Sequence, residues 1–224
     1  LDAAAHLIIA IDGPAASGKS TVARALARRL KFAYVNSGAL YRAATWFVLE
    51  RGISPADSAA TVEALAAARI EHGMENGAFH LRFDDVDPDA FLRESRVVAG
   101  VSTLASQPEV RALLTERLRG FAEGADTVME GRDIGSAVFP DTPYKFYIDA
   151  SQEVREQRRR NEAGGDEDQI AARDRQDSTR RASPLVIAED AHVIDSSHLT
   201  VEGVVGEMIG RLKLKGLMRA AEVA

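Results

Sequence analysis

The sequence predicts an α/β protein in which a parallel sheet is covered by helices. Two observations carry that expectation. Five short apolar runs of strand length recur along the 224 residues, with helical segments following the first two and closing the chain. The first run also passes straight into a glycine-rich turn, IDGPAASGKST (11–21), that opens a helix.

Taken in order, Leu7 to Ile11 reads as a buried strand. Residues 18–30 follow as a helix, with Val22, Leu26 and Leu30 at a spacing of four. FAYVN (32–36) is the second strand, and GALYRAATWFVLERG the next helix, which Gly52 and Pro55 end. The stretch 69–91 breaks the alternation. Glu75-Asn76-Gly77 lies there between two short alternating runs and reads as a hairpin, a small antiparallel insert between the second and third core strands. DTVMEG (126–131), YKFYID (144–149) and the weaker AHVID (191–195) supply three more strands. The last helix puts Val201, Val204, Val205, Met208, Ile209 and Leu212 on one face. Between these strands, 151–181 is highly charged around Gly164-Gly165, and by itself reads as a solvated helical pair.

Composition narrows the function. Hydrophobic residues make up 46%, enough for a real core, and the formal charge of −6 argues against a sequence-independent nucleic-acid binder. Without cysteine there is no thiolate nucleophile, thiolate metal site or disulfide. No apolar run is long enough to span a bilayer. A soluble, cytoplasmic protein that binds neither nucleic acid nor membrane is the expectation. His6, His72, His80, His192 and His198 are scattered without ligand spacing and are assigned to structure, as are the aromatic Tyr41, Trp46 and Phe47.

Gly13-Pro14-Ala15-Ala16-Ser17-Gly18-Lys19-Ser20 fits G-x-x-x-x-G-K-[ST] at every fixed position, and Thr21 follows it. The glycines permit close backbone approach, the loop amides and the helix N-terminus point at an anion, and Lys19 adds charge at the outer phosphates. The Ser20 hydroxyl can ligate Mg²⁺. This is a nucleotide-triphosphate site. The D-x-x-G and N-K-x-D signals of a regulatory GTPase are missing. A small-molecule kinase, or a module that uses ATP only to change shape, stays open at this point.

A second anionic pocket has candidates. NSGALYRAA (36–44) holds Ser37 and Arg42, and VSTLASQPEVR (101–111) holds Ser102 and Arg111. In GRDIGSAVFPD (131–141), Arg132 and Asp133 directly follow a strand end, where ligands of open α/β sheets bind. RDRQDSTRRASPL (173–185) comes last. Several arginines suit a phosphate, since their planar forks match its oxygens.

IDGPAASGKST, SGALYRA, EGRDIGSAVFPD and RDRQDSTR followed by PL, in this order, resemble the bacterial cytidylate kinases over about residues 8–212. The resemblance implies a three-layer P-loop nucleoside-monophosphate kinase fold with a five-stranded parallel sheet, a small antiparallel β insert and a helical lid. Its domains would be a core (1–36, 96–150 and 184–224), a monophosphate-binding domain (37–95) and a lid (151–183). It implies Mg²⁺-dependent transfer from ATP to CMP and dCMP, and a monomer is the expectation because every strong motif serves a ligand within one chain. Arg42 and Arg132 would hold the CMP phosphate, joined by Arg173, with Asp177 on the sugar. Ser102, Arg111, Asp133 and Arg180 would surround the cytosine, with Ser37 nearby. Lys19, Arg132 and Arg173 would be the catalytic cations, and Arg158 and Arg159 would come from the lid, where the sequence does not separate them from Arg155 or Arg160. Another nucleoside-monophosphate kinase, or a small-metabolite kinase such as a shikimate-type enzyme, is the rival within enzymes. Two departures stand out: Asn36 where the family usually has aspartate, leaving Asp12 as the nearby carboxylate for Mg²⁺-bound water, and a lid shortened around 161–169, with Gln176 in place of a common arginine.

Overall fold

The computed structural model describes residues 6–75, 78–161 and 185–217. Five parallel strands form the main sheet: β1 (Ile8–Asp12), β2 (Ala33–Asn36), β5 (Thr127–Gly131), β6 (Tyr144–Asp149) and β7 (His192–Asp195), in the order β2-β5-β1-β6-β7. The predicted runs differ from these by a residue or so at the ends. The predicted hairpin is β3 (Ile70–Glu75) paired antiparallel with β4 (Ala78–Phe83). It stops at Phe83, short of the predicted 91. Beyond it the chain makes a bridge between Phe83 and Val86 and a 3₁₀ turn at Asp89–Phe91.

Alternation along the strands builds two cores. Ile9, Ile11, Tyr34, Val128, Phe146 and Ile148 face α1 (Lys19–Leu30) and the last helix, α7 (Val201–Leu214). Ala10, Val35 and Met129 point the other way, into a larger core with α2 (Ser37–Glu50), α4 (Ser95–Ala105) and α5 (Pro108–Phe121). The short α3 (Ser58–Ala67) adds Leu65 to it. Strands buried on both faces need the near-continuous apolar runs read from the sequence.

All five strands run the same way, so their carboxyl ends share one edge. β1, centrally placed, ends at Asp12 opposite Gly131 of β5, whose Glu130 lies opposite Asn36 of β2. Ligands of open α/β sheets bind at this edge, where the strand order reverses. Every candidate residue described structurally follows one of these strand ends or sits on a helix packed beside it. Only α6 (Gln152–Arg160) of the expected lid falls within the described residues. Arg173, Gln176, Asp177 and Arg180 lie outside them.

Candidate active site

The turn after β1 is a cradle built by backbone conformation. Gly13 has φ 155°, and a Cβ there would lie 2.1 Å from the Ile148 carbonyl oxygen of β6, so only glycine fits. Ala16 (φ 58°) and Gly18 (φ 87°) are left-handed, and α1 starts at Lys19 without a side-chain cap, which leaves its first amides for an anion.

Four of the loop's carbonyls accept from side-chain donors. Arg132 Nη1 donates to Gly13 O at 3.1 Å, Lys19 Nζ to Pro14 O at 2.9 Å, and Arg155 Nη1 to Ala15 O at 3.3 Å. Ser17 O accepts from Arg158 Nη1 at 3.1 Å and from Ser196 Oγ at 2.9 Å. The C=O and N–H of one peptide unit point in opposite directions, so this turns the amides of Ala15, Ala16 and Gly18 the other way. Ser17 is fully buried, and among the described residues its hydroxyl has no hydrogen-bond partner. Loop amides turned away from these donors, a buried lysine and an orphaned hydroxyl are groups that suit a polyphosphate chain.

Ser20, on the first turn of α1, donates from Oγ to Glu130 Oε1 at 2.8 Å, and Tyr34 OH approaches the same oxygen at 3.4 Å. Burial, and then the Glu130 charge, push the Tyr34 phenol above its ordinary range, so it stays a donor. A hydroxyl beside a buried carboxylate is a donor set that fits Mg²⁺ and its water. The two oxygens of Asp12, by contrast, are taken by the backbone amides of Ile134 and Gly135, each at 2.8 Å. Asn36 does local work as well, because its Oδ1 accepts from Ala39 N at 2.9 Å and caps α2.

Arg42 projects from α2 into a cationic cluster. Burial, with Arg132 and Arg93 close by, lowers its pKa from the ordinary value, while Glu130 opposes them. Arg42 thus feels the charge of two other guanidinium groups, opposed by one carboxylate, and a doubly charged phosphate would relieve that repulsion. Ser37 Oγ donates to Glu130 O at 2.8 Å, close enough that a Cβ on Gly131 would stand 2.4 Å from it.

Beside this cluster, Asp133 and Arg111 form a buried ion pair through Oδ2 and Nη2. Arg111 also donates from Nη1 to Ala105 O at 3.1 Å, the last residue of the helix that carries the buried Ser102. Its guanidinium lies 5.4 Å from the Tyr41 ring centroid, so Tyr41 is more than core filling. Among the described residues, the buried Arg111 Nε has no partner, a donor left over for a ligand acceptor.

Most of the described candidates lie together at the carboxyl edge of the sheet. Gly13 to Thr21 form the cradle, Arg42 and Arg132 meet beside it, and Arg111 with Asp133 adjoins them. On α6, Arg155 and Arg158 both donate to loop carbonyls; Arg158 belongs to the predicted lid pair, and Arg155 is one of the two arginines the sequence does not separate from it. Sequence reasoning also missed Glu130, Arg93, Tyr34 and Ser196. Glu130 carried a signal, as the acidic end of a strand pairing with the P-loop strand; Ser196 carried none.

Residues 9–214 match the family model described as cytidylate kinase. A cytidylate kinase of Corynebacterium glutamicum is 44% identical over 216 residues, covering 92% of this chain and 94% of the relative. That of Corynebacterium efficiens is 45% identical over 213 residues, covering 91% and 93%. A crystal structure of an uncharacterized protein from Eubacterium ventriosum superposes with a TM-score of 0.50 at 14% identity, over 93% of this chain and 99% of that one, a likeness of fold alone. With a family model spanning nearly its whole length and relatives this similar from end to end, the chain belongs to the cytidylate kinase family.

Proposed function

We propose that the chain transfers the γ-phosphoryl group of ATP to CMP and dCMP. The observation that supports this most is the joining of two anion seats on one sheet edge: Arg132, a member of the cationic cluster with Arg42, reaches Gly13 O of the phosphate cradle at 3.1 Å. In this reading the cradle amides and Lys19 hold the ATP phosphates. Arg42 and Arg132, with Arg93 at the rim, receive the CMP phosphate, and Arg173 joins them. The acceptor is already an anion, so no general base is needed, and catalysis consists of alignment and charge neutralisation. Ser20 and Glu130 would hold Mg²⁺, which supplies positive charge that neutralises the β- and γ-phosphate oxygens. The cytosine amino group donates to Asp133, while Arg111 and Ser102 donate to its ring acceptors. Uracil would set a carbonyl oxygen against the Asp133 carboxylate, and that mismatch disfavours UMP. Asp177 on the sugar and Arg180 near the base complete the site on the strength of the sequence resemblance. Residues 37–95 would close on a core of 1–36, 96–150 and 184–224, with 151–183 as the lid that sheds water.

A coupled assay for ADP tests the reading, with ATP and Mg²⁺ and in turn CMP, dCMP, UMP, AMP and shikimate. Rapid turnover is expected with CMP and dCMP only. Turnover of UMP or shikimate at a similar rate would overturn it.

A further inference from the structure

β1 and β5 pair in register up to Asp12 and Gly131, and the ladder ends there. Beyond that point the two chains part, one into the phosphate cradle and the other into the loop bearing Arg132 and Asp133. The Asp12 carboxylate continues the connection. Its two oxygens accept from the amides of Ile134 and Gly135 at 2.8 Å each, across more than 120 residues of sequence, in a site where Asp12 is only 5% exposed. These amides open the wide turn Ile134–Val138, in which Ala137 and Val138 both donate back to Asp133 O. One buried side chain therefore sets where the residues just before it, Arg132 and Asp133, begin.

We propose that Asp12 is a positioning residue that locks the acceptor loop to the end of the donor strand and so sets the spacing between the two phosphate seats. The proposal rests on the cytidylate kinase reading for what the seats hold. Asp12 lies next to Gly13, whose carbonyl takes Arg132, so the donor strand grips the acceptor loop at two successive residues. Phosphoryl transfer in line is sensitive to displacements of about 1 Å, which cost on the order of 100-fold in rate. Aspartate suits the task because two backbone donors need two acceptor oxygens. An asparagine offers one, and its NH₂ opposes the second amide.

The charges facing Asp12 are Asp133 on the loop and Lys19 on α1. The stem of Lys145 on β6 packs at Gly135, with its Nζ bound to Asp190 at 2.8 Å. Burial, the largest influence, raises the Asp12 pKa to about 7, so the latch loosens by protonation on the acid side of neutrality.

The test is Asp12→Asn in the full chain, read by kinetics, pH profile and hydrogen exchange. The expected result is a fall in kcat with CMP of about 10- to 100-fold, while KM for ATP stays within about twofold because the cradle keeps its other contacts. Wild-type kcat should fall below about pH 7, and the variant should lose that limb; the second ionisation of the CMP phosphate is common to both proteins. Equal losses in ATP and CMP parameters, or an unmoved acid limb, would overturn the proposal. Should Asp12→Asn not fold, Gly135→Ala presses the same seam, since its Cβ would sit 3.4 Å from Asp12 Oδ2 and 3.1 Å from Lys145 Cγ. A kcat equal to wild type in Gly135→Ala counts against the latch, and a selective kcat loss supports it. Amide exchange at 134 and 135 reads the latch without any substrate. Protection in the wild type that is lost at either amide in Asp12→Asn supports it, and unchanged protection at both overturns it. A wild type inactive on CMP would then count against the substrate reading alone.

Discussion

Replacing Asp133 by alanine tests the acceptor pocket and its energetics together. Asp133 and Arg111 are 8% and 5% exposed at their side chains, so the pair is removed from water. Alanine leaves the guanidinium with Ala105 O and the Tyr41 face as its remaining partners and no countercharge at Nη2. Stranding one charge of a buried pair costs about 3–5 kcal/mol. For a chain of this size each kcal/mol moves Tm by about 2–4 °C, which predicts a drop of roughly 6–20 °C. Removing both charges, as Arg111→Met with Asp133→Leu, should recover most of that loss, because the desolvation penalty disappears with them. Urea unfolding of the wild type, single and double variants measures this directly. The activity should separate from the stability. The double variant is expected to fold well, yet to lose preference for CMP over UMP by about 10- to 100-fold, the worth of one good base-edge contact. A single variant that loses less than about 1 kcal/mol, well short of the expected penalty, or a double variant no more stable than the single one, would refute the electrostatic argument. An intact CMP-over-UMP ratio in the double variant would refute the base reading.

Other predictions concern the donor side. Lys19→Met should lower kcat by about 100- to 1,000-fold, the usual loss on removing one transition-state donor, with little change in the melting curve measured alongside. Glu130→Gln and Ser20→Ala should each raise the Mg²⁺ concentration for half-maximal rate, read by Mg²⁺ titration at fixed ATP, because both act at one 2.8 Å contact. Gly13→Ala should impair ATP binding and folding together, since its Cβ would collide with Ile148 O; calorimetric ATP affinity equal to wild type would contradict that. The Asp12 pKa is raised by burial from 3.8 to about 7 in the folded chain. Its contribution to stability is then fully present below about pH 4 and is lost as pH rises through about 7. Unfolding curves across pH 4–8 should show that loss in the wild type and lack it in Asp12→Asn.

Much of this site was legible because its parts are local. The cradle is a contiguous stretch whose residues answer to backbone needs, and it sits between a run of strand length and a helical repeat. The hairpin was readable from Glu75-Asn76-Gly77, although its end at Phe83 was not, because Val86 turns the chain back by a bridge that no local pattern announces. Arg42, Arg111 and Arg132 could be named as candidates, but their roles came from a resemblance of motifs, since a lone arginine says nothing about its neighbours. Glu130 was passed over as the end of a strand, and Asp12 was noted only as an available carboxylate, while its oxygens accept from two amides far along the chain.

The sequence by itself determined the alternation of strands and helices, the phosphate cradle and the kinship of the chain, because each depends on residues adjacent or regularly spaced. Tertiary structure alone decided which groups meet. Parallel pairing set Asp12 beside Gly131 and Glu130 beside Asn36, and from that register came the Ser20–Glu130 contact and the Asp12 latch. The α6 arginines reached the loop carbonyls through the same packing. Hydrogen bonds and charges act over a few ångströms of space, whatever the separation along the chain.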